Sequence, residues 1–374
     1  MKPSKKEHNH RGFDMRSLRT KRSCAFIFAG AMAMMTYSSS ISSAQDYGNH
    51  NFKVIGNWSN APHYKNSEQP LWEETLPESS GGELTAQLTP VDELGLDGFD
   101  VGRMLKLGLF DFVHAGFTYV AGDNPVFEGV DPAGAIQNWS QAREAVDAYR
   151  PILARELDQT FDATLLAIYS EPTQVFYCRE PIEGIADFQG KKVRVYNRAL
   201  SDLVTGMGGI PTSIDFAEVV TALQRGVVDC AVTGTLSGYT AKWYEVATHL
   251  YTLKAAQGSS LFLAVSNTTW NTLTPDAQKL IEDQARRFED KAWAFAESAD
   301  EEGINCNTGN GACSFGEAQN MTLVVPSDAD LEKLKQIVEQ NVLSGWAKRC
   351  GADCIAEWNG SVGTVLELSA AAQQ

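Results

Sequence analysis

Ala186–Gly234 constrains the fold most tightly, because these few residues carry three apolar strand-like runs, two helical runs and the turns between them. Asp187-Phe188-Gln189-Gly190-Lys191 has turn composition, with a glycine where the backbone can take positive φ. Val193-Arg194-Val195 then reads as a short strand. Alternation sets the two valines on one face and Arg194 on the other, so the arginine faces water, a partner carboxylate or a cleft. Asn197 follows at a loop position of the kind that carries binding groups. A helix is predicted over Ala199–Met207, stopped by Gly208-Gly209, and a strand over Ile210–Ile214. Asp215-Phe216-Ala217-Glu218 has the D-x-x-E form of a reciprocal cap and opens a second helix that ends at Gly226. Val227–Val232 is apolar except at Asp229, as a strand buried on both faces would be. Strand, helix, strand, helix, strand predicts an α/β layer with parallel pairing. Ligands bind at the carboxyl ends of such strands, and here those ends carry Asn197 and Thr233.

Residues 1–44 have the layout of a cleaved secretory signal peptide. Arg16, Arg19, Lys21 and Arg22 precede the apolar run Cys24–Met35, and Ser42-Ser43-Ala44 supplies small residues before Gln45. The apolar run is too short for a permanent span, although an uncleaved anchor is the alternative. This segment holds eight of the 31 Lys/Arg and two of the 47 Asp/Glu, so the remainder carries a formal charge of −22. Such acidity disfavours nucleic acid, which binds through cationic neutralisation of phosphate.

The remaining residues are too many for one ordinary core, so two domains are expected. In the first half, strands are predicted over Asn51–Trp58, Glu83–Leu88, Phe110–Val120 and Ala163–Tyr169. Helices are predicted around Leu71–Pro77, over Asp97–Leu107, and over Gln141–Thr160 with an interruption at Pro151. Leu261–Ser266 reads as a strand. Thr274 caps a long helix that has Pro275 in its first turn and runs to about Glu297. The tail, Ser327–Val342 and Cys350–Leu366, is helical and braces the domains.

Six cysteines lie beyond the leader: Cys178, Cys230, Cys306, Cys313, Cys350 and Cys354. An even number in an exported chain favours disulfides. Cys306 and Cys313 flank a Gly/Asn-rich loop and Cys350 and Cys354 bracket a tight turn, so local pairs are easy. Cys178 and Cys230 sit at strand-like places in one proposed lobe. A zinc site drawn from four of these cysteines is the alternative, with spacings unlike the usual knuckle. No H-E-x-x-H, G-x-S-x-G or Walker motif occurs in the sequence. An enzymatic reading would need a cleft carboxylate such as Asp229 or Asp215 with a partner. His63-Tyr64 reads as a cleft wall or as a surface loop.

DFQGKKVRV, then PTSIDFAEVVTALQRGVVD, then Trp243-Tyr244-Glu245-Val246 resemble the signature of the extracytoplasmic solute-binding proteins of tripartite ATP-independent periplasmic (TRAP) transporters. The likeness is specific over Tyr169–Val246. It implies an α/β clamshell of two lobes with a mixed sheet in each, hinge strands and long bracing helices. Lobe I is expected to comprise 45–170 with 259–298, and lobe II 171–258 with 299–374. The chain would cross near Tyr169–Gln174 and near Ala256–Leu263.

By the same resemblance, Arg194 forms a bidentate salt bridge with a ligand carboxylate, Asn197 adds a polar contact and Phe216 packs on the ligand's carbon skeleton. Thr233 stands where many relatives have Asn. Thr173-Gln174 stands where some sialic-acid-type relatives present a second arginine, so Gln174 is taken as a polar wall residue. Trp58, Tyr119, Trp243 and Tyr239 are further wall candidates, with core packing as the alternative for each. The implied function is capture of a small organic mono- or dicarboxylate in the periplasm by a monomeric receptor. Hinge closure would hold the ligand for delivery to the membrane subunits or, as the alternative, for presentation to a sensor protein, with no cofactor and no metal ligand assigned to the site. The resemblance leaves open whether a metal joins the carboxylate.

Overall fold

The computed structural model describes residues 45–371, so the predicted leader lies outside the described residues. Its strands are β1 (His50–Gly56), β2 (Leu84–Pro90), β3 (Phe112–Gly116), β4 (Ala163–Ser170), β5 (Gln174–Cys178), β6 (Lys192–Val195), β7 (Ile210–Ser213), β8 (Cys230–Gly234), β9 (His249–Ala256), β10 (Ser260–Ser266) and β11 (Thr322–Val324). They form two mixed sheets, of order β2-β1-β3-β10-β4 and β11-β9-β5-β8-β6-β7. In the first, β1 pairs parallel with β2 and β3, while β10 runs antiparallel to β3 and β4. In the second, β6 pairs parallel with β7 and β8, and β5 runs antiparallel to β8 and β9. Every residue of β3, β5, β8 and β10 is buried. That accounts for their near-continuous apolar sequence, since helices and loops cover both faces.

The architecture is the two-lobed α/β clamshell, and the chain passes between the sheets three times, the last by way of the long helix Pro275–Thr308 between β10 and β11. The first crossing, Glu171–Thr173, joins β4 to β5; the second, Gln257–Ser259, joins β9 to β10. They run side by side, with Glu171 N–H donating to Ser259 O at 3.0 Å. Asp300, on the long helix Pro275–Thr308, ties both. It accepts from Thr173 N at 2.5 Å, from Thr173 Oγ1, and from Gln257 Nε2 at 3.4 Å. Trp139 Nε1 donates to the same carboxylate at 3.1 Å. His63 is fully buried, with Nε2 2.7 Å from Ser170 O and Nδ1 3.0 Å from Ser67 Oγ. The surface-loop expectation for His63 is therefore corrected: the ring supports the start of the first crossing.

Three element expectations are also corrected. Trp139–Phe161 is one continuous helix through Pro151. Pro151 and Asp147 lie on its exposed face, where water can satisfy the carbonyl that proline leaves unpaired. The strand expected over Phe110–Val120 ends at Gly116, and Phe117–Val120 forms a helical turn. The long helix runs past Glu297 to Thr308 and ends at Gly309 with φ of 72°. Gly303 lies inside it because the helix presses on Thr235–Thr240: a Cβ at that position would lie 2.5 Å from Leu236 N.

All six cysteines are paired, as Cys178–Cys230, Cys306–Cys313 and Cys350–Cys354, leaving no thiolate for the zinc alternative. The first pair joins opposed positions of β5 and β8. The tail helices Ser344–Cys350 and Ala352–Asn359 press Trp346 and Trp358 onto the turn Pro125–Val130. Trp346 Nε1 donates to Pro125 O at 2.9 Å and Trp358 Nε1 to Gly129 O at 2.8 Å. Arg349 bridges Glu128 at 2.6 Å and Asp202 at 2.8 Å, so the tail touches elements associated with each sheet.

Candidate functional site

A cavity with about 50 Å³ of free volume lies between the two sheets, beside the crossings. At roughly 10–15 Å³ for each water, this is room for a handful of solvent molecules. Elements on both sides build it. The loop after β1 brings Asn57 and Trp58, and the end of β3 with its helical turn brings Gly116, Thr118 and Tyr119. The crossings bring Glu171 and Ser259, β5 brings Gln174, and β6 with the residue after it brings Arg194 and Tyr196. Phe216, Thr233 and Ser237 complete the far wall.

Arg194 is the dominant charge. It is 1 % exposed, and the alternation of β6 carries its side chain to this cavity. Nε donates to Ile214 O at 2.9 Å and Nη1 to Val232 O at 2.7 Å, while Nη2 is buried with no partner. Among the described residues no carboxylate comes within ion-pair distance of it. The guanidinium carbon lies 5.1 Å from the centre of the Tyr196 ring and 5.8 Å from that of Trp243. Two neutral carbonyls thus fix the fork, and an uncompensated positive charge remains in a water-poor site, a costly arrangement without an anion. Trp58 Nε1 and Thr118 Oγ1 are likewise buried with no hydrogen-bond partner. Three unmatched polar groups facing one cavity point to a ligand with acceptor atoms.

The walls meet around this space. Trp58 packs on Phe216 with ring centres 5.5 Å apart, and Tyr119 stacks on Tyr196 at 6.0 Å. Gly98 N–H donates to Asp215 Oδ2 at 3.2 Å. Burial pushes the Tyr119 phenol up, against the pull of the Arg194 charge. Tyr196 OH donates to Gln174 Oε1 at 3.0 Å, and Gln174 Nε2 donates to Pro172 O at 2.7 Å. Gln174 thus holds the tyrosine and the crossing together.

Of the residues singled out from sequence, Arg194, Gln174, Phe216, Thr233, Trp58 and Tyr119 converge on the cavity. Asn197 is not among its lining residues: its Oδ1 accepts from Leu200 N at 2.7 Å and caps the helix Arg198–Gly206. Trp243 packs behind Phe216, and Tyr239 donates to Glu317 O. Neither carboxylate of the enzymatic alternative faces the cavity. Asp229 accepts from Lys192 N at 2.8 Å, and Asp215 caps the turn Phe216–Glu218 through Ala217 N at 3.0 Å.

Sequence reasoning missed Glu171, Tyr196, Thr118, Ser237, Ser259 and Asn57. For Glu171 and Ser259 a signal existed: both are polar residues in the segments expected to cross between lobes. Beneath the cavity, Asn57 Nδ2 donates to Glu68 Oε1 at 2.5 Å and its N–H to Oε2 at 2.9 Å. Tyr169 OH donates to Glu68 Oε1 at 3.0 Å and meets His114 Nδ1 at 2.9 Å; Trp72 Nε1 donates to His114 Nε2 at 2.8 Å. Trp72 can only donate, so His114 carries its proton on Nδ1 and is neutral. Burial pushes the Glu68 carboxyl up to about 7, opposed by its bonds from Asn57 and Tyr169, and pushes His114 down to about 3.

Residues 56–349 match the family model of the bacterial extracellular solute-binding proteins, family 7. The sialic acid-binding periplasmic protein of Vibrio cholerae is 24% identical over 268 residues, covering 71% of this chain and 79% of that protein. In structure, the chain is similar to an extracytoplasmic solute receptor of Bordetella pertussis that binds pyroglutamic acid. The TM-score is 0.74 at 20% identity, over 84% of this chain and 99% of that one. A TRAP periplasmic solute binding protein of Sulfitobacter with bound β-D-galacturonate gives 0.71 at 22% identity, over 85% and 100%. Family match, two-lobed fold and a cleft built around one buried arginine agree: the chain belongs to family 7 of the bacterial extracellular solute-binding proteins, the solute receptors of TRAP transporters.

Proposed function

We propose that this receptor captures a small organic carboxylate in the periplasm and delivers it to TRAP membrane subunits, with Arg194 as the carboxylate clamp. The observation that carries the reading is the buried, ion-pair-free guanidinium of Arg194 at the cavity. A guanidinium has five N–H groups. The Ile214 and Val232 carbonyls take two, leaving the pair on Nη2 and one on Nη1 for a planar, two-oxygen anion. Pyroglutamate and galacturonate, bound by the structural neighbours, differ in size and shape but share the carboxylate, which supports reading it as the common handle. Phe216, Trp58 and Tyr119 would cover the ligand's carbon skeleton, with Thr233 and Gln174 beside them.

The lobes are taken as 45–170 with 259–298, and 171–258 with 299–374, and the receptor as a monomer. Ligand binds the closed form better than the open form, so it shifts the population toward closure. The closed state then presents both lobes to the membrane subunits, whose ion gradient would drive uptake.

A thermal-shift screen of small acids, each paired with its primary amide, tests the reading. A ligand that binds only the folded state raises the melting temperature in proportion to the logarithm of its concentration above the dissociation constant. At least one acid should stabilise while its amide does not. Equal shifts from an acid and its amide would remove Arg194 from the role of clamp.

A further inference from the structure

We infer that Glu171 is the second recognition group of this cleft and selects acids that also carry a hydrogen-bond donor, an N–H or O–H, away from the carboxylate. The inference rests on the reading of Arg194 as the carboxylate clamp and adds the class of acid.

Glu171 stands in the first crossing and lines the same cavity as Arg194. Oε2 accepts from Ser237 Oγ at 3.0 Å. Among the described residues, no hydrogen bond reaches Oε1 and no cation lies within ion-pair distance of the carboxyl. Of the amide oxygens in the wall, Gln174 Oε1 is already taken by Tyr196, while Asn57 Oδ1 accepts from nothing among the described residues; Glu171 is the only carboxyl among the lining residues. The lining therefore presents Arg194 Nη2, Trp58 Nε1 and Thr118 Oγ1, buried without a partner, and at Glu171 a carboxyl whose one hydrogen bond among the described residues comes from Ser237. An anion alone satisfies the first set and adds nothing to the second.

The free energies point the same way. Burial pushes the Glu171 carboxyl up to about 7, against the Ser237 hydrogen bond, with the charge of Glu68 adding to the rise. The Ser237 bond thus offsets only part of the cost of burying the charged form. A ligand N–H or O–H supplies a second bond, and a hydrogen bond to a charged acceptor in a closed site is strong. A dicarboxylate does the reverse, setting a second anion against Glu171 where little water screens it. Among the described residues no cluster of three or more His, Cys, Asp or Glu gathers that could hold a metal between two such anions. The ligand class that matches the wall is a small monocarboxylic acid bearing a hydroxyl, amine or lactam N–H.

The test uses calorimetry on the wild-type protein, Glu171→Ala, Glu171→Gln and Arg194→Ala. The probes are donor-bearing acids (pyroglutamate, lactate, glycerate), their donor-free counterparts (cyclopentanecarboxylate, propionate), the dicarboxylates succinate and glutarate, and the amides of the donor-bearing acids. The wild type should prefer a donor-bearing acid over its counterpart by about ten- to a hundredfold, and Glu171→Ala should bring that ratio close to one. If the alanine variant does not fold, the glutamine variant carries the same test, with the ratio reduced by loss of the acceptor's charge.

Tighter binding of a dicarboxylate, a ratio that survives in both Glu171 variants, or binding that requires an added divalent cation would overturn the role of Glu171. If these occur while Arg194→Ala still abolishes acid binding, the carboxylate clamp stands and only the present inference fails. Acids that bind Arg194→Ala as well as they bind wild type would instead overturn the clamp itself. Binding by none of the probes would contradict both.

Discussion

Asn197 stands three residues past Arg194, yet its side chain is held by the helix that starts beside it. The first turn of any helix has unpaired N–H groups, and Oδ1 meets the one on Leu200 at 2.7 Å. Asn197→Ala should therefore lower stability by about 1 kcal/mol and leave ligand affinity unchanged. Chemical denaturation with calorimetry checks this, and a large affinity loss at unaltered stability would bring the residue into contact with ligand. Arg194 was legible in sequence because a lone arginine between two valines must go somewhere special. Glu171 was legible only as a polar residue in an expected crossing, because its place in the cavity that Arg194 lines comes from two crossings more than eighty residues apart in sequence, lying side by side. No local pattern encodes such a meeting.

The crossings Glu171–Thr173 and Gln257–Ser259 join the two sheets, and Asp300 is their shared anchor. Its carboxylate accepts from Thr173, Gln257 and Trp139, and Thr235 Oγ1 lies 3.3 Å away. Asp300→Ala leaves several buried donors unpaired, each worth about 1–3 kcal/mol, so a large drop in melting temperature is expected. A drop within about a degree would show that the crossings do not depend on it. The Cys178–Cys230 bond, with a sequence separation of 52, fastens β5 to β8 on the Arg194 side. Replacing both cysteines by alanine should cost up to about 4 kcal/mol by loop-closure entropy, measured by denaturant unfolding; an unchanged midpoint would contradict this. The alternation of strand and helix in Ala186–Gly234 was readable because each element carries its own stop. Pro151 misled as a breaker because tertiary context decides its effect: it lies on the exposed face of its helix, where water can satisfy the freed carbonyl.

Across the whole molecule, buried titratable groups set how stability varies with acidity. The Glu68 and Glu171 carboxyls are raised by burial from 4.5 to about 7. Their protonated forms favour folding, so stability is lost as pH rises through that window. Burial lowers His63 from 6.5 to about 4 and His114 to about 3. Their neutral forms favour folding, so stability is lost as pH falls below 6.5. The opposing limbs place the maximum of these four contributions between about pH 5 and 6. Asp131 and Asp300, also raised by burial, weight the alkaline limb further. Melting temperatures of the ligand-free protein between pH 4 and 8 should pass through a maximum on the acid side of neutrality; a steady rise to pH 8 would contradict this.

The α/β class was legible from the repeated strand and helix alternation and the two-lobed clamshell from the family resemblance, whereas the arrangement around the cavity depends on contacts such as Trp58 with Phe216 that only the assembled fold supplies. The most direct measurement of the central claim is a calorimetric titration of wild type and Arg194→Ala, side by side, with the acid that gives the largest thermal shift. Binding should weaken by about a hundredfold or more in the variant while its circular dichroism stays that of the wild type. Equal affinity in a folded variant would contradict the carboxylate clamp at Arg194.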